Sequence, residues 1–213
     1  ASARCLLREG FPVLRLNLGG AGPSRAFCRD QYHAGRSGDL RQALAALPPS
    51  LMANGIVAVG FSLGGNMLLK YLGEEGASAP FRAAAVISAP IDLAEAGTRL
   101  MAPRNALYHL YMITAMKQEA VAAPADLSPG ERAAIRRVRS VYAFDDTFIA
   151  PRNGFAGADD YYAHCSAINY LDGVRVPTLV IHALDDPWIP SRPYRAYDWT
   201  RNPALIPALT HSG

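Results

Sequence analysis

Residues 55–66 read Gly-Ile-Val-Ala-Val-Gly-Phe-Ser-Leu-Gly-Gly-Asn, and this stretch decides the fold and the chemistry that we expect. A short apolar run ends in Gly60-Phe61-Ser62-Leu63-Gly64, and a helical pattern over 67–72 follows at once. A G-x-S-x-G sequence between a strand and a helix is typical of a sharp turn that raises its serine above the sheet. Glycines two residues before and after the serine leave room for the chain to approach itself. The stretch therefore predicts that Ser62 is a nucleophile.

The same turn directs the first amides of the following helix toward the serine. These amides carry the positive end of the helix dipole, which stabilises developing negative charge. We therefore expect the Leu63 amide to act as an oxyanion donor. The alternative is a glycine-rich turn with an incidental serine, and the flanking strand and helix patterns argue against it.

Composition places the chain in the ordinary globular class. Of 213 residues, 50% are hydrophobic and 18% are charged. No apolar run approaches the roughly 20 residues that a membrane-spanning helix needs, and a net charge of +3 is too small to indicate a nucleic-acid partner. Cys5, Cys28 and Cys165 are widely spaced and show no metal or redox pattern, which predicts reduced thiols, no metal or other cofactor, and a cytoplasmic protein. The first residue is Ala1 rather than Met, so we expect the true N-terminus to lie elsewhere.

Short apolar segments alternate with helical patterns in the first part of the chain. Strands are predicted over 11–18, 55–59 and 83–88, and helices over 39–47 and 63–72. Short apolar strands separated by helices pair in parallel, with both faces of the sheet covered. The predicted fold class is therefore α/β, with a mostly parallel sheet and helices on both faces.

The alternation stops between Pro90 and about Asp172. This interval contains a long helical stretch over 107–116, an arginine-rich helix over 132–141 and an irregular aromatic segment over 142–170. It is too long for a simple crossover, so we interpret it as a helical cap over the strand ends. A strand returns over 176–183, followed by a helix over 192–199 and a last strand over 204–209. The chain thus divides into a core part at 1–90, a cap insertion at 91–172 and a second core part at 173–213.

A serine nucleophile needs a base, and the base needs an orienting carboxylate. In enzymes with this turn the chain order is Ser, then Asp or Glu, then His. Leu184-Asp185-Asp186-Pro187 follows a predicted strand, at the sheet edge where ligands of α/β proteins bind. We favour Asp186 as the acid, with Asp185 as the alternative, over an Asp-Pro turn without function.

Five histidines are candidates for the base. Two of them, His109 and His182, lie within predicted regular structure and are interpreted as structural. His33 lies far upstream of the expected position, and His164 belongs to the cap. Only His211 follows the last strand in the expected order.

Several further stretches match the motifs of one family. They are Leu16-Asn17-Leu18-Gly19-Gly20 with Gly22 and Ser24-Arg25, Tyr32-His33-Ala34-Gly35 with Asp39, Gly60 to Asn66, Phe144 to Phe155, Tyr161-Tyr162 with Ser166, and Ala183 to Pro187. On these stretches the chain resembles the YheT-like branch of the α/β-fold hydrolases over nearly its whole length. One departure is Gly19, where that family usually carries arginine.

The resemblance implies that the chain is a fragment. In the family the base lies in a Gly-Gly-His-x-Gly-Phe turn after the last strand, and Thr210 to Gly213 resemble the lead-in to that turn. We therefore expect the base beyond Gly213, with His211 as the alternative. The resemblance also implies further N-terminal strands, one of which precedes a loop that donates a second oxyanion amide and lies between the 11–18 strand and the 55–59 strand. Without that neighbour the 11–18 strand has unsatisfied backbone groups, so we expect the fragment to fold poorly alone.

These observations predict a serine hydrolase that acts on a carboxylic ester with a short-to-medium acyl chain. The substrate would be a small or lipid-like ester, and the acyl pocket would be shaped by Leu107, Met112, Met116, Tyr161 and Tyr162, although such a stripe also fits simple packing. Two other hypotheses remain: an acyltransferase with the same triad, and a non-catalytic binding protein on the same fold.

Overall fold

The computed structural model describes residues 2–28, 31–122 and 126–213. Its centre is a four-stranded sheet in the order β1-β2-β3-β4, and every neighbouring pair is parallel. The strands are β1 Ile56–Phe61, β2 Phe81–Ile87, β3 Thr178–Ala183 and β4 Leu205–Thr210. The parallel α/β sheet is therefore confirmed.

Helices occupy most of the remaining chain. The α-helices are α1 Ser2–Arg8, α2 Ser37–Ala45, α3 Pro49–Met52, α4 Leu63–Glu75, α5 Leu93–Leu100, α6 Ala106–Val121, α7 Pro129–Arg137, α8 Val141–Phe144, α9 Ala150–Arg152, α10 Ala158–Cys165 and α11 Arg192–Ala196. A π-helix, Asp145–Ile149, joins α8 to α9. Short 3₁₀ turns lie at Gly22–Phe27, Gly76–Ser78, Pro103–Asn105, Ala167–Asn169, Leu171–Gly173 and Trp199–Arg201. In the described part of the chain, none of these helices is long and apolar enough to cross a bilayer.

One face of the sheet is packed against α4. Leu68, Leu69 and Leu72 of this helix belong to one buried cluster with Val86 of β2 and Val180 of β3. The spacing of the three leucines puts them on one side of α4, which is the pattern of a helix that lies on a sheet. This packing holds the start of α4, and therefore the end of β1, in a fixed place.

The other face of the sheet is exposed over the described residues. Because successive strand residues point to opposite faces, β1 buries Gly60, half-buries Ile56 and Ala58, and exposes Val57, Val59 and Phe61. Leu179 of β3 and Ile206 of β4 are exposed in the same way. The helices that the structure describes thus cover one face of the sheet.

The prediction of a strand over 11–18 is wrong. These residues form no strand, and Phe11, Leu14 and Leu16 are exposed. A strand exists only where a neighbour takes up its backbone hydrogen bonds, and β1 pairs with β2 alone among the described strands. β1 is therefore an edge strand of this sheet.

Two helical segments also differ from expectation. Residues 142–170, predicted to be irregular, are mostly helical. The arginine-rich helix α7 begins earlier than predicted, because Ser128 accepts a hydrogen bond from the Glu131 amide at 3.2 Å while the Glu131 carboxylate accepts one from the Ser128 amide at 2.8 Å. It ends at Arg137 rather than continuing to residue 141.

The predicted cap segment has an apolar cluster of its own. Residues of α5 to α10 supply nearly all of it, and its fully buried aromatic side chains are Phe144 and Phe148, which meet edge to face at 5.3 Å. Ala34 and the partly buried Leu63 also contact this cluster. The interpretation of 91–172 as a cap insertion stays a prediction, and we call these residues the cap for short.

A buried carboxyl group lies inside the cap. Asp145 begins the π-helix, and its Oδ2 accepts a hydrogen bond from the Tyr162 hydroxyl at 2.7 Å. Burial raises the pKa of Asp145 to about 7, and the Tyr162 hydrogen bond offsets only part of that effect. The folded cap therefore favours the protonated form of this acid.

Asp145→Asn should make the stability of the protein less dependent on pH. The pKa of Asp145 is about 7 when folded and 3.8 as the unperturbed value, so the folded state binds the proton more tightly and loses stability as the pH rises between these values. Relative to the variant, the wild-type free energy of unfolding should fall by about 1–4 kcal/mol between about pH 4 and 7. Urea denaturation at a series of pH values measures this difference. The matched control is the exposed Asp159→Asn, and an equal pH dependence there would contradict the assignment.

Candidate active site

Ser62 occupies a strained turn at the carboxyl end of β1. Its backbone angles are φ 49° and ψ −127°, a region that residues with a side chain rarely adopt. Its amide donates to the Ile87 carbonyl at 2.9 Å, and its carbonyl accepts from the Gly65 amide at 2.8 Å. The side chain is exposed and forms no hydrogen bond with any described residue. The turn therefore presents the Ser62 hydroxyl to solvent, and its role as a nucleophile stays a prediction.

The glycines of the turn differ in what they do. A β-carbon on Gly60 would lie 2.8 Å from the Gly64 carbonyl oxygen and 2.8 Å from the Gly65 α-carbon. A β-carbon on Gly65 would lie 2.8 Å from a methyl group of Val86. At Gly64 an added β-carbon would meet nothing within 4 Å. The close approach therefore requires Gly60 and Gly65, whereas the second glycine of the pentapeptide is sterically free.

The start of α4 offers amides without an acceptor. Within residues 2–28, 31–122 and 126–213, the amides of Leu63 and Gly64 donate to no protein atom. They form the first turn of a thirteen-residue helix directly after Ser62. Free amides at a helix N-terminus attract negative charge. This geometry fits the Leu63 amide as an oxyanion donor, which remains a prediction.

Sequence reasoning missed a second strained serine. Ser88 follows β2 directly, has φ 47°, and donates its amide to the Ile181 carbonyl at 2.9 Å. Since Phe61 pairs with Ile87, Ser62 and Ser88 leave neighbouring strands side by side. The sequence around Ser88 offers no pattern that would have indicated its positive φ.

The predicted acid loop follows β3 at the same edge of the sheet. Asp186 Oδ1 accepts from the amides of Trp188 at 2.8 Å and Ile189 at 2.9 Å, and the Asp186 amide donates to the Ala183 carbonyl at 3.1 Å. These bonds fix the carboxylate and engage only one of its oxygens. Asp185 is placed differently, because its Oδ1 accepts from the Gly213 amide at 3.2 Å.

In the described part of the chain, no histidine is hydrogen-bonded to Ser62 or to Asp186. His211 is exposed, and in the described ranges neither Ser62 nor Asp186 forms a hydrogen bond or ion pair with any histidine. His182 is fully buried in β3 and stacks on Tyr194 with ring centroids 4.0 Å apart. Burial lowers the pKa of His182, and the nearby Asp186 charge opposes this shift. The structural interpretation of His182 therefore fits, whereas His211 as the base stays a prediction.

The five residues predicted to shape an acyl pocket differ in exposure, and their role stays a prediction. Leu107 is exposed, and Met112 and Met116 are half-buried on α6. Tyr161 and Tyr162 are buried in the cap, where the Ala34 amide donates to the Tyr161 hydroxyl at 2.8 Å. A surface cleft of about 360 Å³ is lined by Tyr162 but includes none of the other four, nor Ser62. No group of side chains in the described residues could hold a metal ion.

Two curated proteins that are similar to this chain both have the word esterase in their names. The chain is 37% identical over 161 residues to YheT of Escherichia coli strain K12, a candidate esterase by its name, and the match covers 74% of this chain and 47% of YheT. It is 30% identical over 237 residues to the medium-chain fatty acid ethyl ester synthase/esterase 2 of Saccharomyces cerevisiae, covering 99% of this chain and 52% of the yeast protein. The chain spans about half the length of these curated relatives.

Solved structures agree on the fold. The esterase Pf2001 of Pyrococcus furiosus aligns with a TM-score of 0.55 and 18% identity, over 97% of this chain and 64% of the esterase. An α/β-fold hydrolase from Bacillus anthracis strain Sterne aligns with a TM-score of 0.50 and 17% identity, over 92% of this chain and 73% of the hydrolase. No family model matches the chain.

Gly60→Ala should destabilise the protein, whereas Gly64→Ala should not. At position 60 the new methyl group meets backbone atoms at 2.8 Å, so relief requires movement of the turn and costs about 1–3 kcal/mol. At position 64 the methyl group meets nothing, and alanine raises helix propensity by up to about 1 kcal/mol. Urea denaturation of both variants measures the contrast. Equal stabilities would show that the turn is looser than described.

Proposed function

The chain belongs to the α/β-hydrolase superfamily, and we propose that the protein carrying it is a serine hydrolase of carboxylic esters with short-to-medium acyl chains. The observation that carries this proposal is the strained turn at Ser62, which presents an unengaged hydroxyl beside the free amides of Leu63 and Gly64. The similarity to YheT supports the YheT-like branch of the superfamily.

The proposed reaction begins with attack of the Ser62 hydroxyl on the ester carbonyl. A histidine takes the serine proton and later gives it to the leaving alcohol. The carbonyl oxygen gains negative charge in the tetrahedral intermediate, and the Leu63 amide donates a hydrogen bond to it. Such a donor contributes on the order of 10²–10³-fold in rate.

Asp186 is the proposed acid. Its Oδ1 is fixed by two loop amides, so Oδ2 stays available to hold a histidine in the required tautomer. Asp186 also follows β3, and the β1-β2-β3 order puts its loop at the same sheet edge as Ser62. Asp185 remains the alternative.

The proposed base lies beyond Gly213. The Gly213 amide donates to Asp185 of the acid loop at 3.2 Å, and this contact supports the proposal, because a histidine soon after Gly213 would then be close to Asp186. His211 remains the alternative base, although it is exposed and makes no contact with the acid.

Acyl transfer to an alcohol is a second candidate activity. A relative covering 99% of this chain is named both an ester synthase and an esterase, and the two reactions differ only in whether water or an alcohol attacks the acyl-serine. Product analysis with and without added ethanol distinguishes them: ethyl ester formation above the rate of hydrolysis identifies a transferase.

A chain extended past Gly213 should react with a fluorophosphonate probe and hydrolyse p-nitrophenyl acetate, and Ser62→Ala should abolish both. The 213-residue chain alone should hydrolyse this ester no faster than its own Ser62→Ala variant, because removal of the base costs on the order of 10⁶ in turnover. Mass spectrometry locates the probe. Failure of the extended protein to react would favour a non-catalytic protein, and Ser62-dependent turnover by the short chain would favour His211.

Asp186→Asn in the extended protein should lower kcat by on the order of 10⁴, because asparagine holds the histidine in the wrong tautomer. Asp185→Asn is the matched control on the adjacent residue and should change kcat by less than about tenfold. Steady-state kinetics on p-nitrophenyl acetate measures both. The reverse ranking would assign the acid to Asp185.

A further inference from the structure

Helix α6 of the cap presents an apolar stripe to solvent. Its members are Leu107, Leu110, Tyr111 and Val121, which are 86%, 62%, 68% and 41% exposed. Their spacing puts them on one side of the helix together with the uncharged Thr114 and Gln118. We call this stripe of four apolar residues the cap ridge.

The cap ridge is not explained by packing within the cap. The opposite side of α6 supplies Ile113 and Ala120 to the cap cluster, so the helix is already anchored without the ridge. Glu119, the one acidic residue of α6, falls outside the stripe. Several exposed apolar side chains on one side of a helix of a globular protein are typical of an interaction surface.

Unpaired arginines lie at the border of the cap ridge. Lys117 of α6 donates to the carbonyls of Arg136 at 2.9 Å and Val138 at 2.7 Å, which ties the end of α7 to the middle of α6. The exposed arginines of this region are Arg104, Arg132, Arg136, Arg137 and Arg139. In the described residues none of these five forms an ion pair or side-chain hydrogen bond, whereas the surface arginines Arg41, Arg152, Arg192 and Arg201 are all paired with carboxylates.

We propose that the cap ridge and these arginines dock the protein on an anionic lipid surface. An interfacial helix inserts an apolar side among the headgroups and places basic residues against the phosphates. The cap ridge supplies the apolar side without a charge, and the end of α7 supplies the basic residues.

The position of α6 determines which part of the protein would face the lipid surface. Asn105, just before α6, donates to the Pro187 carbonyl at 3.0 Å, and Tyr108 stacks on Trp188 with ring centroids 4.4 Å apart. The start of α6 therefore contacts the loop that carries Asp186. A lipid surface in contact with the ridge would lie next to the edge of the sheet where Ser62 is exposed. Docking itself does not depend on the proposed hydrolysis.

Vesicle co-sedimentation tests the proposal. The full protein carrying this chain, with Ser62→Ala to prevent lipid hydrolysis, should bind phosphatidylcholine vesicles that contain phosphatidylglycerol and bind pure phosphatidylcholine vesicles much more weakly. Replacing Arg136, Arg137 and Arg139 with Gln should weaken binding by on the order of a hundredfold, because each basic residue near an anionic surface contributes about fivefold. The triple variant Leu107→Ser, Leu110→Ser, Tyr111→Ser should abolish binding even at low salt.

Matched control variants remove the same kinds of residue from other parts of the surface, so they test whether the position of the residues matters. Arg8→Gln, Arg82→Gln, Arg195→Gln removes the same charge from exposed arginines elsewhere, and Leu7→Ser, Phe27→Ser, Leu51→Ser removes exposed apolar side chains elsewhere. Both controls should bind like the parent, and circular dichroism checks that every variant is folded. Absent binding, equal binding to both vesicle types, or equal losses in the controls would overturn the proposal. So would a ridge-dependent dimer in light scattering, since the ridge would then be a protein interface.

Discussion

The hydrogen bond between the Ser62 amide and the Ile87 carbonyl is the constraint on which the candidate site depends. It continues the β1–β2 ladder one residue past the strand, so the strained angles of Ser62 are held by the sheet rather than by the turn alone. Unfavourable backbone angles persist only where the surroundings determine them. Packing of α4 on β2 and the contact of Gly60 with Gly64 and Gly65 supply the rest of that support.

The sequence predicts those parts of the structure that depend on local chemistry. The strand β1 before Ser62, the helix α4 after it and the Asp-Pro loop each carry a distinctive pattern, and each lies within a few residues of its expected bounds. The G-x-S-x-G pattern predicted only part of the steric need for glycine. An added β-carbon has space at Gly64, whereas it would clash at Gly65, which lies outside the pattern. Ser88 was missed because an ordinary serine after a strand carries no pattern that reports its positive φ.

Long-range partners explain the remaining differences. Residues 11–18 have the composition of a strand, yet no described strand pairs with them, and strand formation is decided by the neighbour rather than by propensity. Residues 142–170 show no regular period in sequence because several of their aromatic side chains are buried inside the cap. Phe144 and Tyr162 both belong to its apolar cluster. Helical pattern recognition fails in that setting, since the π-helix at 145–149 breaks the usual period. The base stays a prediction for the same reason, because the order of residues along the chain does not show which histidine contacts Asp186.

The order of the strands also bears on the order in which the parts of the site form during folding. β1 and β2 pair across a single helix, so the turn that carries Ser62 closes through contacts that are near in the chain. β2 and β3, in contrast, pair across the entire cap, and the loop with Asp186 reaches the same edge only after that long interval has been bridged. Closure of a longer interval costs more entropy and slows folding. Folding of the cap should therefore determine when Ser62 and Asp186 come together, and this step should follow formation of the turn at Ser62.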